Sequence, residues 1–284
     1  MPENEYLKVG STEFAYKKLG QEEGIPLVFI IHFRGTMDNW DPLMIENIAK
    51  ERPVILFDNV GVGYTNGETP NSINVMAEDT YKFIHGLGYQ QVDILGFSIG
   101  GMVAQSLAIH HPDLVRKLIL SGTGPAGGIG PSHPKMEEMM YKSEGSEEDA
   151  IETFLFLFYP ETEKGRELGK QSLKRIFSQK TKDSTLQVRD GQLVAIAQWT
   201  NEDFDNAKKE LNNIENPTLV INGDNDIMVP TENSFMLSQN ISDAQLIIYP
   251  NAGHGHLFQH PVRFANHVNT LYFIKSQRVS NLSL

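Results

Sequence analysis

The chain has 284 residues, 40% hydrophobic and 21% charged, with 24 Lys and Arg against 36 Asp and Glu for a net charge of −12, and no cysteine. An acidic excess without a Lys/Arg block argues against nucleic acid and anionic membrane surfaces as partners, and the missing cysteine excludes disulfides and thiol catalysis. No apolar run approaches the roughly 18 residues of a membrane span, and the start M-P-E-N-E-Y has neither the basic opening nor the apolar run of a secretory signal, so the expected compartment is the cytoplasm. One large core with an insertion suits the length.

In chain order, Tyr6 to Val9 and Thr12 to Lys18 alternate in polarity, which predicts an antiparallel hairpin at a sheet edge with one face in water. The runs Leu27 to Ile31, Val54 to Phe57, Val92 to Leu95, Leu118 to Leu120, Leu219 to Ile221 and Leu246 to Ile248 are nearly continuously apolar, as strands covered on both faces require. Between them, Asp41 to Lys50, Ile73 to Gly86, Ile99 to His110, Glu232 to Asn240 and Val262 to Ser276 carry apolar residues at helical spacing. Strand and helix therefore alternate as in a mostly parallel sheet flanked by helices.

The regularity breaks after Thr123. A Pro- and Gly-rich stretch leads into Met-, Glu- and Lys-rich sequence without convincing strands, with helical patterns near Pro134 to Lys142, Glu147 to Phe158, Glu163 to Phe177 and Thr185 to Thr200. The expected organisation is a first core part at 1–123, a helical insertion at 124–216 and a second core part at 217–284. Met136, Met139 and Met140 either line a pliable pocket roof, which the adaptable thioether suits, or pack a small helix bundle.

The strongest chemical signal is V-D-I-L-G-F-S-I-G-G-M-V-A-Q, in which Gly96-Phe97-Ser98-Ile99-Gly100 joins an apolar strand to a helix. A serine hydroxyl must project from a sharp turn to meet a base and a substrate carbonyl, and small residues two before and two after permit that turn. Serine is a weak nucleophile at neutral pH. It needs an imidazole, and the imidazole needs a carboxylate to fix its tautomer. Asp226, in V-I-N-G-D-N-D-I-M-V-P, and His254, in I-I-Y-P-N-A-G-H-G-H, each follow a predicted strand, although chemistry alone leaves Asp224, His256 and His260 in competition.

With these residues the chain resembles the α/β-hydrolase family, in particular its lipase-, esterase- and haloperoxidase-like branch, nearly end to end outside the insertion. The resemblance implies an α/β-hydrolase fold with a helical cap over the site. It assigns the acid to the second Asp of Gly223-Asp224-Asn225-Asp226-Ile227-Met228-Val229-Pro230 and the base to Gly253-His254, with Pro261 seven residues on. It also implies an oxyanion hole built from the backbone N–H groups of Arg34 and Ile99, although His32-Phe33-Arg34-Gly35 carries phenylalanine where the family has glycine, and Gln259 stands where an acid is usual. Phe33 and Trp40 are candidates to line the site, Trp40 alternatively anchoring the helix after it. The Arg34 side chain is expected to pair with Asp38 or Asp41, or to meet a substrate carboxylate. Asp58-Asn59-Val60-Gly61-Val62-Gly63 resembles a family turn and lacks the third glycine of a nucleotide fingerprint. His32 is expected to bond within its own loop.

The expected activity is cofactor-free and metal-free hydrolysis of an ester, lactone or thioester of a small to medium molecule through an acyl-enzyme. The same residues would also serve peroxide chemistry, carbon–carbon cleavage or removal of N-terminal proline, and fold does not separate these. Haloalkane and epoxide relatives carry aspartate where this chain has Ser98. A rival of another class is a hydrolase-like receptor with little turnover. The oligomeric state is not legible.

Overall fold

The computed structural model describes residues 2–131, 133–136, 138–139, 146–178, 182 and 184–273. Strands β1 (Glu5–Val9) and β2 (Thr12–Leu19) form the predicted antiparallel hairpin, and β2 pairs antiparallel with β4 (Val54–Phe57). From β4 onward every pairing is parallel, through β3 (Leu27–Ile30), β5 (Val92–Phe97), β6 (Val115–Ser121), β7 (Thr218–Gly223) and β8 (Ala244–Tyr249), giving the sheet order β1-β2-β4-β3-β5-β6-β7-β8. Every residue of β3, β4, β5 and β7 is buried, which is why their sequences are apolar without alternation.

Successive side chains point to opposite faces, so each strand feeds two apolar layers. Val28, Ile30, Ile94 and Leu118 pack with α2 (Ile73–Gly86) and α3 (Ile99–His110). Leu27, Phe29, Leu95 and Ile119 pack on the other face with α1 (Pro42–Ala49) and Phe264 and Val268 near the chain's end. The chain is an α/β-hydrolase fold in which β5 is interior and delivers its carboxyl end to the middle of the sheet.

Between β6 and β7 lie α4 (Glu147–Phe158), α5 (Glu163–Ile176), α6 (Leu186–Thr200) and α7 (Phe204–Leu211). Three of these match patterns read from the sequence. Helix α7 was not anticipated; Asp203 starts it by accepting from Asp205 N at 3.0 Å, and Ala207 and Leu211 supply its short buried face. The helix expected from Pro134 to Lys142 falls partly outside the described residues. Rather than forming a separate bundle, the inserted helices extend the core layers: Leu155, Phe158, Leu173 and Ile176 join one, Ala195 and Leu211 the other.

Their attachment is also ionic. Arg175 on α5 reaches Asp41 through Nε and Nη2, at 2.6 Å for the shortest bond, and donates to the Phe258 carbonyl at 3.2 Å. Asp41 is fully buried and also caps α1 by accepting from Leu43 N at 2.9 Å. Deleting the guanidinium would leave a buried carboxylate without its counter-charge, so Arg175→Met is expected to lower the unfolding free energy by about 3 kcal/mol, read from urea denaturation.

Candidate active site

The turn after β5 depends on close backbone packing. A Cβ on Gly100 would lie 2.1 Å from the Ile30 carbonyl oxygen, and one on Gly96 would lie 2.3 Å from that of Gly100, so strand, turn and helix meet with no room for side chains at either position. Between them Ser98 sits at φ 59°, ψ −124°, sparsely populated for a residue with a side chain. The strain is held by the Ser98 N–H donating to the Ser121 carbonyl at 3.0 Å and by the Ser98 carbonyl accepting from Gly101 N at 2.8 Å. Helix α3 starts at the next residue.

Asp226 follows β7 in a loop that folds against the one after β8; a Cβ on Gly223 would lie 2.1 Å from the Ala252 carbonyl oxygen. The carboxylate is fixed on both oxygens. Oδ1 accepts from Met228 N and Val229 N, each at 2.9 Å, and Oδ2 lies 2.8 Å from His254 Nδ1. An ionised carboxylate can only accept, so the hydrogen of a neutral imidazole sits on Nδ1 and Nε2 presents a lone pair. Nε2 is buried without a hydrogen-bond partner, and it has not closed onto the Ser98 hydroxyl. The ring packs on Phe97 with centroids 4.9 Å apart and against Phe158 at 5.2 Å. Ser98 and His254 line one cavity of about 740 Å³.

Residues 25–261 match the family model described as alpha/beta hydrolase fold. The chain belongs to that family. An alpha/beta hydrolase fold protein from Chitinophaga pinensis superposes with a TM-score of 0.86 at 34% identity, over 96% of this chain and 98% of that one. A 2-hydroxymuconate semialdehyde hydrolase from Pseudomonas sp. (strain CF600) is 28% identical, over 86% of this chain and 85% of its own length. A pimeloyl-[acyl-carrier protein] methyl ester esterase from Nitrosospira multiformis is 25% identical, over 77% and 83%. Such relatives indicate a hydrolase and do not agree on a substrate.

The competing residues of this hydrolase lie elsewhere. Asp224 is exposed and accepts from Ala252 N at 3.1 Å, pinning the loop. His256 is buried with Nε2 2.9 Å from Ser121 Oγ, and His260 packs against Tyr249. Gln259, in the place of the usual acid, donates to the Asn251 carbonyl at 2.8 Å. His32 bonds within its loop as expected, Nδ1 lying 3.0 Å from the Phe33 carbonyl. Among the described residues no group of three or more His, Cys, Asp or Glu is placed to hold a metal, and no helix is long and apolar enough to cross a membrane.

Several expectations need correction. The Arg34 N–H is not free to meet an oxyanion: Arg34 turns to φ 60°, and its N–H donates to Gln192 Oε1 on α6 at 2.7 Å. Nor does its side chain pair with either aspartate, because Asp38 is taken by Lys17 and Asp41 by Arg175; the guanidinium instead lies 3.4 Å from the Ser184 carbonyl. Trp40 is fully buried against Phe29, Phe97 and Phe258 and anchors the core without reaching the cavity. Met136 and Met139 do not line the cavity, and Met140 lies outside the described residues. The wall they were expected to form comes from Ile151, Phe154, Leu157 and Phe158 on α4, residues read only as a helix pattern. Phe33 does line the cavity, while Ile99, at the start of α3, is buried.

Burial holds His32 neutral, with its pKa pushed down to about 4, and the facing His254 adds to the effect; His256 is pushed down to about 3, also by burial. In the unfolded chain both titrate near 6.5, so below that pH the unfolded state binds protons that the fold refuses. Stability is therefore expected to fall as pH drops from about 6.5 towards about 4 for His32 and about 3 for His256. Each histidine contributes a slope of about 1.4 kcal/mol per pH unit. Urea denaturation at pH 7 and pH 5 reads this, and His256→Gln should remove one histidine's share of the slope.

Proposed function

We propose that the chain is a serine hydrolase acting on an ester, lactone or thioester of a small to medium substrate. The observation that carries the reading is the Asp226–His254 pair, whose unpartnered Nε2 belongs to a ring that lines the same cavity as Ser98. The Ser98 hydroxyl and His254 Nε2 are not hydrogen-bonded to each other, and catalytic hydrogen bonds often form fully only when substrate binds. Ser98 Oγ attacks the carbonyl carbon as His254 Nε2 takes its proton. The tetrahedral intermediate collapses when His254 returns that proton to the leaving oxygen or sulfur. Water then attacks the acyl-enzyme, deprotonated by the same nitrogen, and as the bond from the acyl carbon to Ser98 Oγ breaks, His254 returns the proton to that oxygen and the acid leaves. Asp226 keeps the proton of neutral His254 on Nδ1 and stabilises the imidazolium.

With Arg34 N–H engaged by Gln192, the oxyanion donors are assigned to Ile99 and Phe33. Ile99 opens α3, where the first N–H groups have no acceptor within the helix, and Phe33 N–H has no acceptor among the described residues. Helices α4 and α6 act as the cap. The Phe158 carbonyl accepts from Gly255 N at 2.7 Å beside the base, and Gln187 clamps Thr69 through two bonds of 3.0 Å. The cavity is of a size suited to a small molecule.

A panel of p-nitrophenyl esters tests the reading. Sustained turnover supports it, and a single turnover at most would favour a receptor. Carbon–carbon hydrolysis is the second reading, favoured by the similarity to the Pseudomonas enzyme. Faster turnover of 2-hydroxymuconate semialdehyde than of any ester would favour it.

A further inference from the structure

The cavity is lined by the apolar residues Ile151, Phe154, Leu157 and Phe158 of α4 and by two cations, Arg34 and Lys182, against one carboxylate, Glu147. The Arg34 guanidinium lies 3.4 Å from the carbonyl of Ser184, two residues along the chain from Lys182, and both cations line the same cavity. The Lys182 ammonium stands 5.5 Å from the centre of the Tyr64 ring. Neither cation makes an ion pair among the described residues. That arrangement is unusual on a chain of net charge −12, where carboxylates are plentiful and most other arginines have found one.

We propose that Arg34 and Lys182 form a carboxylate-binding subsite, so that the preferred substrates are acyl compounds with an apolar body and a free carboxylate remote from the scissile carbonyl. The proposal rests on the hydrolytic reading above and narrows it to a substrate class. Arg34 suits the role because its planar fork can donate two parallel hydrogen bonds to a carboxylate, and the Gln192 bond fixes the backbone from which it reaches. Lys182 adds a point charge on a flexible stem. The body of the substrate lies against the aromatic wall of α4, and its ester carbonyl meets Ser98. The local positive charge also counters the protein's overall negative field, which would otherwise discourage an acidic ligand from entering.

The test compares mono-p-nitrophenyl esters of linear dicarboxylic acids, from glutaric to suberic, with the same esters carrying a primary amide in place of the free acid. The amide matches the carboxylate in shape and removes its charge. The wild-type enzyme is expected to favour the acid in kcat/KM by about 10- to 100-fold at the best chain length, the range of one or two charge-assisted hydrogen bonds, mainly through KM. The preference should weaken as sodium chloride is raised. Arg34→Gln and Lys182→Gln should each reduce the acid-to-amide ratio, and the double variant should bring it close to one. Lys182 is exposed, so its variant keeps the test open if Arg34→Gln folds poorly. Equal rates on acid and amide by the wild type, or a ratio unchanged in the double variant, would overturn the subsite and leave the hydrolase reading standing. If no ester is turned over and Ser98 resists fluorophosphonate, the hydrolase reading fails and the subsite with it.

Discussion

Ser98→Ala is expected to abolish fluorophosphonate labelling and to lower ester turnover by about 10⁶-fold, the scale of loss when a triad serine is removed. The fold should persist. The Ser98 hydroxyl makes no hydrogen bond to another described side chain, so the change removes no structural contact. Its backbone at φ 59° is as strained with alanine as with serine. Thermal midpoints of the two proteins should therefore agree within a few degrees while activity differs by orders of magnitude. Retained labelling at another serine would move the nucleophile elsewhere. His254→Ala should be comparably damaging, whereas His256→Ala should cost much less activity, because His256 Nε2 is occupied with the Ser121 hydroxyl.

The sheet was readable because its physical demand is simple. A strand covered on both faces must be apolar throughout, and Leu27–Ile30, Val54–Phe57 and the parallel strands after them say so residue by residue. The turn around Ser98 was readable because close backbone approach admits only glycine at Gly96 and Gly100. Asp224 and Asp226 were harder. Chemistry allows either, and the family motif rather than the residues themselves preferred Asp226. The structure brings Asp226 to His254 because the loop is held back by backbone donors from Met228 and Val229, interactions with no signature in side-chain type.

What the sequence hid were contacts between segments far apart in the chain. Nothing in Arg34 or Gln192 announces that an amide 158 positions away takes the N–H expected at the oxyanion. Likewise a helix pattern in α4 told that Phe154 and Phe158 would share a face, and not that this face would look into the cavity in place of the methionines. Trp40 was ambiguous for the same reason: an aromatic after a turn can roof a site or fill a core, and only Phe29, Phe97 and Phe258 around it decide. Besides the apolar wall that α4 lends the cavity, the inserted helices meet the site through the polar contacts of Phe158 with Gly255 and Gln192 with Arg34, so a shift of either helix would be felt at the base or at the β3 loop.

Asp226→Asn is expected to reduce kcat by about 10⁴-fold, as when a triad acid is made neutral and the base adopts the wrong tautomer. The reason lies in the two oxygens of Asp226. Oδ1 is claimed by the N–H groups of Met228 and Val229, so an asparagine must put its carbonyl oxygen there to satisfy them. Its amide nitrogen then faces His254 Nδ1, where Oδ2 stood at 2.8 Å. Two donors cannot face each other, so the imidazole moves its hydrogen to Nε2 and loses the lone pair that would accept the Ser98 proton. The same change at Asp224 meets no such conflict. Its Oδ1 accepts from Ala252 N and from the Asn225 amide, and an asparagine at 224 can present its own carbonyl oxygen to both while its amide turns to solvent. Asp224→Asn should therefore retain activity within about tenfold of wild type, well short of the loss expected from a wrong base tautomer. Steady-state rates of both variants on one neutral p-nitrophenyl ester, with urea midpoints measured alongside, separate loss of chemistry from loss of fold. A dead Asp224→Asn beside an active Asp226→Asn would transfer the acid to Asp224.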